Sequence, residues 1–405
     1  PKDITVQEAA YLRNGHMDIP GYKLPQMSGN GAMDRVAGIL MEARKPVICA
    51  GGGILKSGAE KELLALAEKL DIPVAVTLMG KSCFPENHPL FLGMVGMHGT
   101  AYANYAVSEA DLVMGLGMRF ADRATGNVST FASSATVVHI DIDLAEINKN
   151  IIAHHHIVGD ARAVLTRLLE IVGSRQLPEW REKIHLWKEE HPLKYDTGGA
   201  LKPQYVVQQI SEATKGKAFI TTEVGQHQMW AAQHYKFKSP RTLLTSGGLG
   251  TMGYGLGASI GAKVGCRDKV VINIAGDGCF RMNMNEIATA TRYNIPIIEV
   301  IFNNHVLGMV RQWQDLFYGQ RYSATVLNDQ VDFVKVSEGM GAKAYRVADI
   351  ESFEKALKEA IELNIPCVIE CDICKDDKVF PMVAPGAPIS EAFDRDDLNK
   401  KESAN

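Results

Sequence analysis

The stretch Val270-Val271-Ile272-Asn273-Ile274-Ala275-Gly276-Asp277-Gly278 starts as a run of apolar, mostly β-branched residues and ends in a polar turn. Continuous apolar runs of this kind are typical of strands buried on both faces of a parallel sheet. A second run, Ile297–Phe302, ends in Asn303-Asn304. Because open α/β sheets bind ligands at the carboxyl ends of their strands, we predict that both polar clusters border one ligand site.

The polar residues after these two strands are suited to a divalent cation. Asp277 offers a carboxylate, Asn304 an amide oxygen and Val306 a backbone carbonyl. Mg²⁺ prefers oxygen ligands in octahedral order and keeps positions for water and substrate phosphates. We therefore predict a metal site made from these three residues.

The glycines around the aspartate favour a diphosphate beside the metal. Gly276 and Gly278 allow backbone N–H groups to approach phosphate oxygens, and a helix predicted to open near Met282 would add its positive end. Gly-Asp-Gly alone is usually an ordinary turn. The Asn-Asn pair after a second strand makes the diphosphate–metal site the favoured interpretation.

Outward from this motif, apolar runs alternate with helical patterns in two blocks, 31–173 and 204–376. This alternation predicts an α/β protein with two doubly wound parallel-sheet domains. We interpret 1–30 as a linker, 174–203 as a linker with one helix, and 377–405 as a C-terminal tail of mostly irregular structure. The predicted strands are 46–50, 73–78, 111–116, 136–142, 218–222, 242–245, 270–274, 297–302, 342–347 and 367–373, with a further strand at Ile157.

Composition narrows the class of protein. The chain has 405 residues, of which 46% are hydrophobic and 22% charged, and a formal net charge of −4. This balance provides no basic surface for nucleic acid or for an anionic membrane. No apolar run approaches the roughly 18 residues of a membrane-spanning helix. Seven scattered cysteines predict a reduced, intracellular protein.

Gly-Asp-Gly followed by Asn-Asn is the motif of thiamine-diphosphate enzymes, and nearly the whole chain resembles one family of them. In order and spacing, several segments are similar to the catalytic large subunit of the acetohydroxyacid synthase (acetolactate synthase) family, without its N-terminal pyrimidine-binding domain. These segments are 50–53, 77–79, 93–100, 117–123, 139–146, 159–160, 225–233, 246–253 and 307–314.

The resemblance implies a thiamine-diphosphate site in the second domain. The Gly250 carbonyl would receive the pyrimidine amino group, and Met252 would prop the bent cofactor, although a lone methionine is more often a core residue. The expected cofactor contacts are Gly225, Gln226, His227, Gly250, Met252, Gly276, Asp277, Gly278, Cys279, Asn304, Gly308 and Met309, with Mg²⁺ on Asp277, Asn304 and Val306.

The resemblance also implies FAD in the first domain. Glycine turns after strands suit a dinucleotide pyrophosphate, and acidic groups suit the ribose. Ala121 departs from the family, which has an acidic residue there, and this puts one FAD hydrogen bond in doubt. The expected contacts are Gly52, Gly53, Thr77, Leu78, Met79, Gly96, Met97, His98, Gly117, Arg119, Asp122, Arg123, Asp141, Ile142, Glu146, Gly159, Asp160, Gln228, Gly247 and Gly248.

Three residues are expected to take part in catalysis: Met252, Arg123 and Trp313. The Arg123 guanidinium would hold the carboxylate of the incoming 2-oxo acid, the alternative being a surface ion pair with Asp122. Trp313 would line the pocket for the second substrate, the alternative being a core or interface residue.

The implied activity is the decarboxylation of pyruvate and its condensation with pyruvate or 2-oxobutyrate, the first common step of branched-chain amino-acid synthesis. The implied partners are a homodimer or tetramer and a regulatory small subunit, in a cytoplasm of bacterial type, with an organelle left open. Since Pro1-Lys2-Asp3-Ile4 resembles the segment after the pyrimidine-binding domain, we expect a truncated chain that is nearly inactive alone. The alternatives are pyruvate oxidase, glyoxylate carboligase or a non-catalytic cofactor-binding module.

Two further clusters are interpreted as structural. We expect His154-His155-His156 to be surface or turn residues, because three consecutive histidines cannot face one ion from regular structure. Cys371 and Cys374 lack a second cysteine pair, so a zinc or redox site is disfavoured.

Overall fold

The computed structural model describes residues 2–10, 29–198, 200–327 and 331–403. Part of the first predicted linker, 11–28, therefore lies outside the described residues. The described chain contains two six-stranded sheets, and all the strand pairs in both are parallel. The predicted fold class, two doubly wound α/β domains, is confirmed.

The first sheet has the strand order β3-β2-β1-β4-β5-β6. Its strands are β1 Pro46–Ala50, β2 Val74–Val76, β3 Phe91–Met94, β4 Leu112–Leu116, β5 Thr136–Asp141 and β6 His155–Val158. The helices around it are α2 Asn30–Glu42, α3 Gly52–Ser57, α4 Glu60–Leu70, α5 Ala101–Glu109, α6 Asp122–Thr125 and α7 Ala161–Ile171. Separate apolar clusters cover its two faces, which is why its central strands are apolar at successive positions.

The second sheet has the strand order β11-β12-β10-β9-β7-β8. Its strands are β7 Phe219–Thr222, β8 Leu243–Thr245, β9 Val271–Gly276, β10 Ile298–Asn303, β11 Lys343–Val347 and β12 Cys367–Asp372. The helices around it are α9 Pro203–Ala213, α10 Gln226–His234, α11 Tyr254–Gly265, α12 Asp277–Asn283, α13 Ile287–Arg292, α14 Gly308–Phe317, α15 Phe333–Gly339 and α16 Ile350–Leu363. Two apolar clusters again cover its faces.

Among the described residues, three helices lie outside these two layered units: α1 Lys2–Thr5, α8 Pro178–Glu190 and α17 Arg395–Ser403. Helix α8 buries Trp180 and Ile184 against the first sheet's core. Within the described residues, no helix has the length and apolar character that a bilayer crossing requires.

Each sheet has one reversal point at which the chain crosses from one side of its first strand to the other. In the first sheet this point lies between β1 and β4, and in the second between β7 and β9. Loops diverge to opposite faces at such a point and leave a crevice at the carboxyl ends of the strands, where α/β proteins bind ligands. The predicted motif Gly276-Asp277 follows β9 and therefore borders the second crevice.

The structure differs from the sequence prediction in five places. Strand β3 was not predicted, and the strand expected at Ile157 begins at His155. Helix α12 begins at Asp277 rather than near Met282. The segment 377–393 is mostly irregular, as predicted, with a short 3-10 helix at Ile389–Glu391, but it packs into the protein, since Val379 and Met382 are completely buried. The charged end of the chain forms α17.

A buried ion pair lies where the two units meet. Lys81 Nζ is 2.6 Å from Glu86 Oε1, and both side chains are almost fully buried. The ammonium group also lies 5.5 Å from the ring centre of Phe91 and 5.4 Å from that of Phe237 in the second unit. Burial lowers the pKa of Lys81 and raises that of Glu86. Ion pairs in such surroundings depend on both partners being present.

Candidate cofactor sites at the strand ends

The predicted diphosphate residues of the second unit follow four of its strands. Gly225 comes after β7, Gly250 after β8, Gly276 at the end of β9 and Asn304 after β10. Phe302 in β10 pairs with Gly276 in β9, so Asn303-Asn304 and Asp277 leave adjacent strands at the same edge of the sheet. Parallel pairing thus brings together residues that are far apart in the sequence.

Asp277 is buried with one of its oxygens unused. The side chain is 2% exposed, Oδ1 accepts a 2.9 Å hydrogen bond from the Gly278 N–H, and Oδ2 has no hydrogen-bond partner. Burial raises the pKa of Asp277 to about 6. A buried carboxylate oxygen without a partner is costly unless a ligand compensates it, so the position suits a bound cation.

Asn304 and Val306 add the other oxygen donors that the sequence predicted. Asn304 is 7% exposed, and its Oδ1 accepts a 3.2 Å bond from the Val306 N–H, which leaves that oxygen a second lone pair. A bond from Leu307 N to Thr325 O, 2.8 Å long, fixes this turn. No group of three or more His, Cys, Asp or Glu in the described chain could hold a metal. Besides the Asp277 carboxylate, a cation here would therefore depend on amide and backbone oxygens.

Helix α12 starts directly on the motif, which corrects the prediction of a helix opening near Met282. Gly276 is its N-cap residue, and Asp277 and Gly278 form its first turn. The sequence Asp-Gly-Cys carries no helix signal of its own, so the start was placed too late. A carboxylate in the first turn is favoured by the helix dipole.

Gln226 and His227 present further polar atoms without partners. Gln226 Nε2 donates to Gln312 Oε1 at 2.9 Å and to Asp377 O at 2.8 Å, whereas its Oε1 accepts nothing. A β-carbon at Gly308 would lie 2.1 Å from that Oε1, so the glutamine needs glycine there. His227 Nε2 also has no partner, and burial lowers the pKa of this imidazole to about 3. Neutral donors and acceptors thus line the site.

The predicted cofactor contacts Met252 and Cys279 differ in their surroundings. Met252 is half-buried, and its methyl carbon lies 3.7 Å from where a β-carbon of Gly278 would be. The neighbouring Leu249 is 96% exposed. Cys279 is buried, donates to Val224 O at 3.1 Å, and burial raises its pKa to about 12, so its thiol stays protonated. The motif therefore has an apolar wall on one side.

Helix α14 carries the predicted second-substrate residue. Trp313 is half-buried, and its ring lies 5.7 Å from that of Phe317 in an edge-on arrangement. Met309, predicted as a cofactor contact, packs against the core of the second unit. The buried Gln312 of the same helix bonds to Gln226 and to Val379, which fixes the orientation of the helix toward the motif.

All six strands of the first sheet end in residues predicted to contact FAD. They are Gly52 and Gly53 after β1; Thr77, Leu78 and Met79 after β2; Gly96, Met97 and His98 after β3; Gly117, Arg119, Asp122 and Arg123 after β4; Asp141, Ile142 and Glu146 at and after β5; and Gly159 and Asp160 after β6. Because the strands are parallel, these residues lie along one edge of the sheet.

Backbones approach each other closely at the centre of this edge. Gly53 N donates to Gly117 O at 3.0 Å, and a β-carbon at Gly53 would lie 2.6 Å from Gly117 Cα. Gly117 has a φ of 54°, which favours glycine. The first turn of helix α3 and the Gly117 loop thus pack directly against each other at the reversal point.

The acidic residues at this edge already have partners. Asp141 is buried and accepts a 2.9 Å bond from Asp143 N, and burial raises its pKa. Glu146 pairs with Lys149 at 2.8 Å. Asp160 caps α7 by accepting from Ala163 N at 3.1 Å. Each retains acceptor capacity for a ribose hydroxyl.

Arg123 pairs with its neighbour, as the alternative interpretation expected. Its Nη1 lies 2.6 Å from Asp122 Oδ2, with the two side chains 69% and 72% exposed. Exposed ion pairs contribute little stability, so this contact does not tie the guanidinium down. Burial, and then the positive charge of Arg123, lower the pKa of His98 to about 4.

Contacts between the two α/β units connect the strand-end edges of their sheets. Gln233 of α10 donates to His98 O at 3.0 Å. The Met79 sulfur lies 2.4 Å from where a β-carbon of Gly247 would be, so the loop after β8 touches the loop after β2. Gln228 instead donates to Thr245 within the second unit at 2.7 Å, and Gly248 stands clear of other atoms.

One buried polar group was missed by the sequence reasoning. Three polar residues are fully buried inside the second unit: Glu223 directly after β7, Asn273 in β9 and Glu299 in β10. Asn273 Nδ2 donates to Glu299 at 2.8 Å. Burial, and then the neighbouring Glu223, raise the pKa of Glu299 well above its ordinary value. The sequence signal for Asn273 and Glu299 was a polar residue inside an apolar run, whereas Glu223 directly follows β7 and gave no signal.

The two minor clusters have ordinary structural surroundings. His154 is exposed and its Nδ1 accepts from Val137 N at 3.0 Å, while His155 and His156 begin β6. Cys371 is buried in β12 and Cys374 is exposed, and both thiols are free.

Comparison with known proteins identifies both units. Residues 33–168 match the thiamine pyrophosphate enzyme central domain, and residues 223–371 match the C-terminal TPP binding domain. A probable acetolactate synthase large subunit from Methanocaldococcus jannaschii is 45% identical over 96% of this chain and 68% of its own length. The chain belongs to the acetolactate synthase large-subunit family. The large subunits of Corynebacterium glutamicum and Haemophilus influenzae are 44% and 39% identical, over 96% and 95% of this chain and 64% and 67% of their own lengths.

Membership of the acetolactate synthase family confirms the predicted enzyme class and the thiamine-diphosphate cofactor. The alternatives, namely pyruvate oxidase, glyoxylate carboligase and a non-catalytic module, receive no support from these comparisons. The chain spans about two thirds of the length of these relatives. The roles of individual residues stay predictions.

Proposed function

We propose that this chain carries the diphosphate–metal and FAD sites with which an acetolactate synthase joins two 2-oxo acids. The first substrate is pyruvate, which loses CO₂, and the second is pyruvate or 2-oxobutyrate. The proposed units are an FAD domain at 31–173 and a thiamine-diphosphate domain at 204–376, separated by the 174–203 linker.

In the second domain, Asp277, Asn304 and the Val306 carbonyl would hold Mg²⁺. The free, buried Oδ2 of Asp277 supports this assignment, since all three donors are hard oxygens. Gln226 and His227, each with a buried polar atom that lacks a partner, would bind the diphosphate with the backbone N–H groups of the first turn of α12. The neutral imidazole of His227 can donate a hydrogen bond without adding charge.

Bound thiamine diphosphate supplies a nucleophilic carbon and an electron sink for decarboxylation. The chain's own residues bind and orient the reactants. The Gly250 carbonyl would accept a hydrogen bond from the pyrimidine amino group, and Met252 would support the bent cofactor. Arg123 would bind the carboxylate of the second 2-oxo acid, and the half-buried Trp313 would exclude water and favour the larger substrate.

In the first domain, the glycine loops at Gly53 and Gly117 would hold FAD at the strand ends. The close packing of these loops at the reversal point supports the assignment. The carboxylate oxygens of Asp141 and Glu146 would accept hydrogen bonds from ribose hydroxyls. Since the condensation has no net redox change, the flavin would act as a structural cofactor.

The family further suggests partners and a location for this chain. We propose a homodimer or tetramer that binds a regulatory small subunit and works in a cytoplasm of bacterial type. Size measurement in solution with and without a small subunit tests the assembly.

The observation that carries the proposal is the buried Asp277 carboxylate with one free oxygen beside Asn304. The test is a titration of the pure chain with thiamine diphosphate, in Mg²⁺ or in EDTA, and with FAD, followed by the addition of pyruvate to the FAD complex. Binding of thiamine diphosphate only with Mg²⁺, and FAD at one per chain, is expected. Rapid flavin reduction by pyruvate would instead favour an oxidase.

A further inference from the structure

Glu223 holds the loop that carries Met252. It follows β7 and is completely buried. Its Oε2 accepts a 2.6 Å bond from the N–H of Gly253, and its Oε1 accepts a 3.1 Å bond from the N–H of Leu256. The Gly253 N–H belongs to the peptide bond that follows Met252, so the carboxylate fixes the backbone of the predicted cofactor support.

This contact replaces the local cap that helix α11 lacks. Its N-cap residue is Gly253, with a φ of 87°, and it makes no side-chain cap bond of its own. Helix N-termini leave N–H groups unsatisfied, and a carboxylate there is favoured by hydrogen bonding and by the helix dipole. Glu223 supplies this carboxylate from another strand, 30 residues earlier in the chain.

Gly253 is also bound by helix α12, which begins at the predicted metal ligand Asp277. Asn283, at the end of α12, donates from Nδ2 to Gly253 O at 2.6 Å. Gly253 thus connects the end of β7, which precedes Gly225, with the helix that begins at Asp277. The loop before it needs such anchoring because it packs little, as the 96% exposure of Leu249 indicates.

We propose that Glu223 is a positioning residue, which keeps Met252 and the Gly250 carbonyl in place for thiamine diphosphate by capping helix α11. The inference rests on the proposed function of the 246–253 loop. Glu223 touches neither the cofactor nor the substrate in this proposal and acts through the backbone alone.

The matched test uses two buried carboxyl groups of the same network. Glu223→Gln places an NH₂ donor against one of two backbone N–H groups, so it should break the cap. Glu299→Gln changes an equally buried side chain that contacts Asn273 and not the loop. Both variants are compared with the wild-type full chain for thiamine-diphosphate affinity in Mg²⁺, for FAD affinity, and for amide hydrogen exchange.

Losing a hydrogen bond to a charged group should weaken thiamine-diphosphate binding of Glu223→Gln by about tenfold or more. FAD affinity should not change, and the Gly253 and Leu256 amides should lose exchange protection. Glu223→Asp, which keeps the carboxylate, should recover part of the thiamine-diphosphate affinity and part of the amide protection. A merely structural defect would instead lower both affinities and protection throughout the second domain, and that result would overturn the proposal.

A second variant keeps the test decisive if Glu223→Gln does not fold. Asn283 is exposed, so Asn283→Ala leaves the core intact, and it should weaken thiamine-diphosphate binding by roughly threefold. Unchanged affinity in Asn283→Ala, or unchanged amide protection in Glu223→Gln, would overturn the inference. Failure of the wild-type chain to bind thiamine diphosphate would instead overturn the proposed function, while the exchange data would still decide whether Glu223 holds the loop.

Discussion

Replacing Gly53 by alanine should separate the two loops on which the FAD assignment rests. The new β-carbon would lie 2.6 Å from Gly117 Cα and 3.1 Å from Gly117 O, whereas carbon atoms pack at about 3.5–4.0 Å. The backbones must therefore move apart by about 1 Å. That movement would lengthen the 3.0 Å bond from Gly53 N to Gly117 O beyond hydrogen-bonding distance.

The cost can be worked from these contacts. Overpacking costs about 1–3 kcal/mol and the lost hydrogen bond about 1 kcal/mol. Alanine recovers up to about 1 kcal/mol because Gly53 lies in helix α3. The free energy of unfolding of the first domain should therefore fall by about 1–3 kcal/mol. FAD affinity should fall at least about tenfold, because the Gly53 and Gly117 backbones proposed to bind FAD move apart.

The assay is a flavin absorbance titration together with thermal unfolding of the same sample. Gly38→Ala is the matched control, since Gly38 lies in helix α2 with no atom within 4 Å of the new β-carbon. The control should keep its FAD affinity and become slightly more stable. Wild-type FAD affinity and unfolding temperature in Gly53→Ala would refute the reasoning.

Other perturbations address the second domain and the boundary. Asp277→Asn should reduce Mg²⁺-dependent thiamine-diphosphate binding more than tenfold while leaving FAD binding intact, and equal binding in EDTA and Mg²⁺ by the wild type would contradict this. In native protein at pH 8, iodoacetamide should label the exposed Cys374 and spare Cys279, because a pKa of about 12 leaves almost no thiolate; peptide mass spectrometry reads this out. Lys81→Met should cost about 3–5 kcal/mol in urea unfolding, since it leaves a buried carboxylate alone, and adding Glu86→Gln should recover much of that loss.

Much of the fold was predictable because the strands are buried on both faces. The runs that become β1, β4, β9 and β10 are apolar at nearly every position, and sheet burial demands this. Strand β3 was missed because Gly93 interrupts its apolar pattern. Its place is set by pairing with β2, which is a tertiary contact.

The site was predictable where a motif spans adjacent strand ends and was missed where side chains cap distant backbone. Asp277 and Asn304 follow apolar runs and could be identified from the sequence. Glu223 could not, since its partners Gly253 and Leu256 are far along the chain and a glutamate after a strand carries no signal. Likewise, nothing in an irregular sequence predicts that Val379 is buried.

The segment 377–393 bears on how the protein is made. Its Val383 N–H bonds to Met97 O at 2.8 Å, and its Gly386 carbonyl accepts a bond from Asn127, 259 residues earlier. The ribosome delivers these residues after nearly all of both domains has emerged. Contacts of such long sequence separation form late, because loop closure must precede them. The first domain, although synthesised early, therefore lacks these backbone partners until residues 383–386 have emerged, and chains stalled before that point should expose an incomplete edge to chaperones and proteases.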